Sequence, residues 1–291
     1  MRLFTRFGKV QPLCWAVLML AASPAMAEVA VPPYFSDHMV LQCETVAPLW
    51  GTAAPGEEVK VSFRNQELQA KANDQGQWRL ELKGLKAGGP DTLTITGSNI
   101  IKIEDVLVGE VWVGSGQSTM AAGAAGYAKN DEVLAKMVAT DYPQIRGYSV
   151  RGGKWLVATP AANGGFSALL FSFAVTLHKD LDVPVGMMLG AVGGTPSGAW
   201  LSPEALAADK PCQDLIAVYS QTYDQQLADF NNRVLPAWQK SADAAKAAGK
   251  PVGRAPAPPA KPGTARGQDP GYLYKAHIQP FVGYGIRGVL W

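Results

Sequence analysis

Between Val29 and about Asp105 the chain alternates short apolar stretches with turn chemistry. Met39-Val40-Leu41, Ala47-Pro48-Leu49-Trp50, Val59-Lys60-Val61-Ser62-Phe63, Trp78-Arg79-Leu80-Glu81-Leu82 and Thr92-Leu93-Thr94-Ile95-Thr96 read as strands. The third and fourth alternate strictly, as half-buried strands do. Ala54-Pro55-Gly56, Asn73-Asp74-Gln75-Gly76 and Ala87-Gly88-Gly89-Pro90 supply turns between them. Strands about every ten to fifteen residues, without a sustained helical period, predict a small antiparallel β-sandwich over residues 28–105.

The pattern changes near Val106. Val106-Leu107-Val108 and Val111-Trp112-Val113 form a nearly continuous apolar run, which suits a strand buried on both faces of a parallel sheet. From Ser167 to Leu181, the residues Leu169, Leu170, Phe173, Ala174, Leu177 and Leu181 recur at helical spacing. Val185 to Leu189 reads as a second buried strand, and Gly190 to Gly194 as the loop after it. A helix is expected from about Leu215 to Gln239. Strand, helix, strand, helix is the α/β order, so residues 106–291 are expected to form an α/β domain. Residues 241–268 interrupt it with alanine, lysine, proline and glycine, a composition that reads as a flexible insertion. Ile286 to Trp291 begins another apolar strand. The chain stops inside it, and the sequence is expected to be a truncated one.

The first 27 residues change the picture of where the protein works. Arg2, Arg6 and Lys9 precede an apolar stretch from Leu13 to Ala22, and Ala25-Met26-Ala27 follows as a small-x-small site. This order reads as a signal peptide, implying export to the periplasm or beyond. The apolar stretch is about half of the ~20 residues that span a bilayer. The formal charge is +2, and Arg2, Arg6 and Lys9 supply three of 26 basic residues against 24 acidic ones. A mature chain would therefore sit near −1, which gives no case for nucleic acid or an anionic membrane as partner. Cys43 and Cys212 remain after processing and are expected to be free and buried rather than bridged.

Two loops carry candidate chemistry. Gly114-Ser115-Gly116-Gln117-Ser118-Thr119-Met120 follows the apolar run ending at Val113, and the C-terminal end of a parallel strand is where α/β folds place their sites. Met120 and Thr119 stand where a hydrolase elbow and a dinucleotide fingerprint need glycine. Taken alone, a serine in a glycine loop is more often a turn or cap than a nucleophile. Gly193-Gly194-Thr195-Pro196 follows Val185–Leu189, and its glycines offer backbone N–H groups that can stabilise an oxyanion or simply make a turn. The three histidines, His38, His178 and His277, show no metal-ligand spacing, and no metal or cofactor is expected. His178 is expected at the surface.

Together these pieces resemble the sialate O-acetylesterases, a branch of the SGNH (GDSL-like) serine hydrolases. Phe35-Ser36-Asp37-His38-Met39-Val40-Leu41-Gln42, Asp105 to Trp112, Ser115 to Met120, Gly193-Gly194-Thr195-Pro196 with Ala199-Trp200, and Ile286-Arg287-Gly288-Val289-Leu290-Trp291 occur in that family's order. The resemblance implies an SGNH-like parallel sheet, incomplete here, preceded by the β-sandwich. It implies carbohydrate O-acetyl ester hydrolysis with Ser118 as nucleophile. The oxyanion hole would come from the amides of Ser118 and Gly194, with Gly193 beside it. The substrate would be an O-acetylated sugar or glycan, of sialate or another polysaccharide. The family carries asparagine at the position of Thr119, and its later blocks, with the catalytic histidine and its acid, have no counterpart in these residues. The chain alone is therefore expected to be inactive. A non-catalytic carbohydrate-binding protein is the other reading.

Overall fold

A computed structural model describes residues 28–262 and 271–291. The expected signal peptide, residues 1–27, and the end of the expected insertion lie outside the described residues. In chain order the strands are β1 (Val40–Gln42), β2 (Ala47–Thr52), β3 (Glu58–Phe63), β4 (Gln66–Lys71), β5 (Gln77–Leu82), β6 (Gly88–Thr96), β7 (Ile100–Gly114), β8 (Tyr142–Ser149), β9 (Trp155–Ala158), β10 (Val185–Leu189) and β11 (Gly288–Leu290).

β7 organises the molecule. Its first half pairs antiparallel with β6, which leads through β3 to β4. Its second half pairs in parallel with β10 and β11, and β10 continues through β8 to β9. β1 lies parallel to its middle. The result is a mixed sheet in order β4-β3-β6-β7-β10-β8-β9, with β2 and β5 forming a separate antiparallel pair. The strand is continuous through residue 105, and Val106, Val108, Val111 and Val113 on it are all buried. A β-branched residue packed from both sides favours such an uninterrupted strand over a break.

The Ala168–Leu181 helix covers the parallel part. Ser167 Oγ caps it by accepting from the Leu170 N–H at 3.2 Å, and Asp182 ends it in the left-handed region. Its buried residues are Ala168, Leu170, Phe171, Ala174 and Val175, whereas Leu169 and Leu181 are exposed. Large apolar residues lie on more than one side of the helix, so leucine spacing alone does not choose its buried face. The sheet selects Phe171 and Val175, which pack into the cluster holding Ile145, Val185 and Met187.

The helix expected over residues 215–239 is longer. Lys210–Asp229 passes through a π-helical turn, Phe230–Val234, into Leu235–Ala247. The Asp209 carboxylate caps its start by accepting from the Cys212 N–H at 2.8 Å. Ala242, Ala244, Ala245 and Ala247 have high helix propensity, and the helix therefore enters the segment read as an insertion. No regular element is found from Lys250 to Lys261. Three strands escaped the sequence pattern, the four-residue β9 among them. β4 lies on an edge with alternating half-exposed and exposed residues, and β8 contains Pro143, Arg146 and Gly147.

β7 and β11 are tied by a charged pair. Arg287 donates from Nε to Glu110 Oε2 at 2.9 Å and from Nη2 to Oε1 at 2.8 Å. The Cys43 thiol also donates to Glu110, at 3.5 Å. Gln42 Oε1 accepts from the Val111 N–H at 2.8 Å. Burial alone would raise the Glu110 carboxyl. The Arg287 hydrogen bonds and charge outweigh it and hold the group below its ordinary value. Burial, and then the Glu110 charge, push the Cys43 thiol up. Both cysteines are free, Cys43 buried and Cys212 half-buried.

Candidate active site

Three parallel strands end level with one another. Leu189 of β10 and Leu290 of β11 both stand opposite Gly114 of β7. The loops that follow therefore leave the same edge of the sheet. They are laced together by backbone bonds: Gly190 N–H to Gly114 O at 2.9 Å, Val192 N–H to Gly116 O at 3.0 Å, and Ser115 N–H to Leu290 O at 2.9 Å.

The glycines in the first loop serve packing and backbone shape. A Cβ at Gly114 would lie 2.8 Å from Leu170 Cδ2 and 3.0 Å from Met120 Sδ. Only a residue without a side chain lets Met120 fold beneath the strand end. Gly116 has φ +114°, in the region that favours glycine. The two serines face opposite ways. Ser115 is fully buried, whereas Ser118 is exposed at the start of the short Ser118–Ala121 helix. Ser118 Oγ donates to Gln117 Oε1 at a long 3.3 Å. Thr119, beside it, is exposed.

The second loop meets the first at Ser118. A Cβ added to Gly193 would sit 3.4 Å from Ser118 Cα and 3.5 Å from Ser118 Cβ. That is ordinary van der Waals contact, so a glycine at 193 leaves open the space in front of the hydroxyl-bearing carbon. Gly194 follows at φ +70° and is exposed. The turn is pinned from behind. Thr195 Oγ1 donates to Val192 O at 2.8 Å and accepts from Trp200 Nε1 at 3.0 Å. Trp200 in turn meets Trp291 edge-on at 5.6 Å between centroids. The tertiary structure thus brings Ser118 and Gly193 together from positions 75 residues apart in the sequence.

The histidines occupy three different settings. His38 Nδ1 lies 2.6 Å from Asp105 Oδ2, and Arg146 Nη2 donates to the same carboxylate. Asp105 is nine residues of β7 away from Gly114, about 30 Å at ~3.3 Å per residue. This pair belongs to the far end of the strand. His178 is half-buried, with Nδ1 2.8 Å from Val183 O. The expectation of a surface residue is corrected here: the helix turns at Asp182 and folds the next strand's lead-in back against the imidazole. His277 lies at the same sheet edge as Ser118. Its backbone packs on Gly190 and its ring meets Trp200 edge-on at 6.0 Å.

Burial, and then the positive charge of Arg151, hold the His277 imidazole below its ordinary value. The unfolded chain therefore binds a proton more readily than the folded one. Stability should fall as pH drops through the ordinary imidazole range near 6.5. His277→Phe should flatten that slope in thermal melts between pH 7 and 5. An unchanged slope would show that His277 does not carry it.

Sequence reasoning singled out Ser118, Gly193 and Gly194 but not the props behind them. Thr195, Trp200, Glu110 and Arg287 all stood inside its motifs, but that they pair emerges only from the fold.

No family profile matches the chain. It is 30% identical over 206 residues to the sialate O-acetylesterase of Rattus norvegicus, covering 60% of this chain and 38% of that one. It is 30% identical over 207 residues to the sialate O-acetylesterase of Homo sapiens, covering 60% and 39%. The chain thus spans about two fifths of the length of these curated relatives. In fold it superposes on a carbohydrate acetylesterase from Xanthomonas citri with a TM-score of 0.65 and 25% identity, over 91% of this chain and 51% of that one. Motif order, sequence similarity and fold agree in one respect: over the matched part the chain is similar to the sialate O-acetylesterases and to a carbohydrate acetylesterase.

Proposed function

We propose that this chain supplies the nucleophile and part of the oxyanion hole of an exported carbohydrate O-acetylesterase. The observation that carries the reading is the contact of Gly193 with an exposed Ser118 at the C-terminal edge of parallel strands. Ser118 Oγ would attack the acetyl carbonyl of an O-acetylated sugar, and a histidine would take its proton. The amides of Ser118 and Gly194 would hold the tetrahedral oxyanion, where losing one donor typically costs about 10²–10³ in rate. The sugar oxygen would leave with the proton returned by that histidine. Water, activated in the same way, would then release acetate and restore Ser118.

The hydrogen bond recorded for Ser118 Oγ among the described residues goes to Gln117. A serine so placed stays protonated and is a weak nucleophile at neutral pH. The proposal accordingly puts the base in sequence beyond Trp291, and the 28–105 strands in a β-sandwich domain that accompanies the catalytic one. Sialate is the substrate favoured by the names of the relatives, with acetylated polysaccharide next to it. The leading 27 residues would direct export to the periplasm.

The test is covalent labelling. A fluorophosphonate added to the complete gene product should attach to the peptide containing Ser118, found by mass spectrometry, and these 291 residues alone should label far more slowly. Labelling elsewhere, or none in the complete product, would favour the non-catalytic carbohydrate-binding alternative.

A further inference from the structure

The Lys210–Asp229 helix has no buried residue, yet it carries a stripe at three- and four-residue spacing: Leu215, Tyr219, Tyr223 and Gln226. A stripe of this spacing normally packs on a core. Here it forms one wall of a cleft of about 550 Å³. Tyr272, Pro196 to Ala199 and Pro259 to Pro262 also line it. Pro196 to Ala199 continue directly from the Gly193–Gly194 turn. Pro196 is three residues from Gly193, no more than about 11 Å at ~3.8 Å per residue.

We propose that this cleft holds the glycan portion of the acetylated substrate, with its sugar units running from Ser118 along Tyr272 and Tyr223. The proposal rests on the reading of Ser118 as the esterase nucleophile and deepens it. The lining is largely apolar, with Leu206, Leu215 and Ile216 in it, and Tyr219, Tyr223, Tyr272 and Gln226 add flat rings with polar tips. A pyranose ring has an apolar face of C–H groups and a rim of hydroxyls. Tyrosine matches both, with a flat apolar ring and an O–H at its edge. The Gln226 amide adds a donor and an acceptor for sugar hydroxyls. Tyr219 and Tyr272 are 63% and 38% exposed, so their rings are open to a ligand. Among the described residues lining the cleft none is a carboxylate, so an acidic sugar meets no repulsion there.

Isothermal titration of this chain with xylohexaose, a neutral oligosaccharide, and with sialyllactose, an acidic one, tests the proposal. At least one should bind, and which one does separates the two sources of acetylated sugar. Tyr223→Ala and Tyr272→Ala should each weaken binding about tenfold, the loss expected for one stacked ring. Tyr272→Phe should recover most of it, because the ring face remains. Ser118→Ala should bind as tightly as the parent. Circular dichroism of each variant separates lost binding from lost fold. No heat from either sugar at millimolar concentration, or binding unchanged in folded Tyr223→Ala and Tyr272→Ala, would overturn the proposal. Self-association abolished by Tyr223→Ala and insensitive to sugar would overturn it too, in favour of a second copy as occupant. A chain that binds sugar through these tyrosines, while the complete product leaves Ser118 unlabelled, would keep the cleft and lose the esterase. Labelling of Ser118 without sugar binding would do the reverse.

Discussion

Replacing Ser118 by alanine is expected to lower acetyl-ester hydrolysis by the complete gene product by about 10⁴-fold or more, as loss of a nucleophile does in other serine hydrolases. The fold should not notice. Ser118 is exposed and its hydroxyl makes one long bond, to a neighbouring side chain, so the stability change should stay within about 0.5 kcal/mol. Ser115 provides the contrast. It stands three residues away in the same loop but is fully buried, so its hydroxyl cannot reach a substrate. Ser115→Ala should retain activity within a few-fold. Acetate release measured alongside thermal melting separates the two cases. A Ser118→Ala protein within tenfold of the parent rate would remove Ser118 from the mechanism.

Arg287→Ala is expected to destabilise the chain by about 2–3 kcal/mol. Removing one partner of a fully buried ion pair costs about 3–5 kcal/mol, because the other charge is left without compensation. The figure is lower here because the Arg287 side chain is 38% exposed, whereas that of Glu110 is 10% exposed. Loss of the pair also loosens β11 from β7 beside Gly114, so Ser118 chemistry should suffer with it. The pH dependence gives a check on the cause. In the parent, Glu110 is held below its ordinary 4.5, so its contribution is present above that value and is lost as pH falls through the folded one. In Arg287→Ala burial, the largest influence on the group, raises it, opposed only by the smaller effects of the Cys43 and Gln42 hydrogen bonds. Acidification should then narrow the gap between variant and parent. Denaturant titrations at neutral and mildly acidic pH measure this. A gap independent of pH would mean that lost packing, not the unpaired carboxylate, is responsible. Replacing both partners, as Glu110→Leu with Arg287→Met, should recover part of the loss.

Alternation over Val59–Phe63 and Trp78–Leu82 placed β3 and β5 correctly, because each half-buried strand advertises its period within itself. Helical spacing from Ser167 to Leu181 likewise located the Ala168–Leu181 helix from local signals. β8 was illegible for the opposite reason. It is central, between β10 and β9, and its burial comes from neighbours distant in sequence. Arg146 within it reads as a surface residue until Asp105 is seen beside it. The buried face of the Ala168–Leu181 helix was equally hidden, since its large apolar residues lie on more than one side and do not record which side meets the sheet.

The candidate site divides along the same line. Local chemistry was enough to mark Ser118 and Gly193–Gly194, because glycines after an apolar strand signal a loop at a sheet edge wherever they occur. By itself the sequence also carries the order of motifs on which the resemblance to the sialate O-acetylesterases rests. It could not choose between Ser115 and Ser118 on physical grounds, nor find that the Thr195–Trp200 bond and the Glu110–Arg287 pair brace the two loops. Those are contacts between segments that only the parallel register of β10, β7 and β11 brings level, and register is a property of the packed sheet rather than of any one strand.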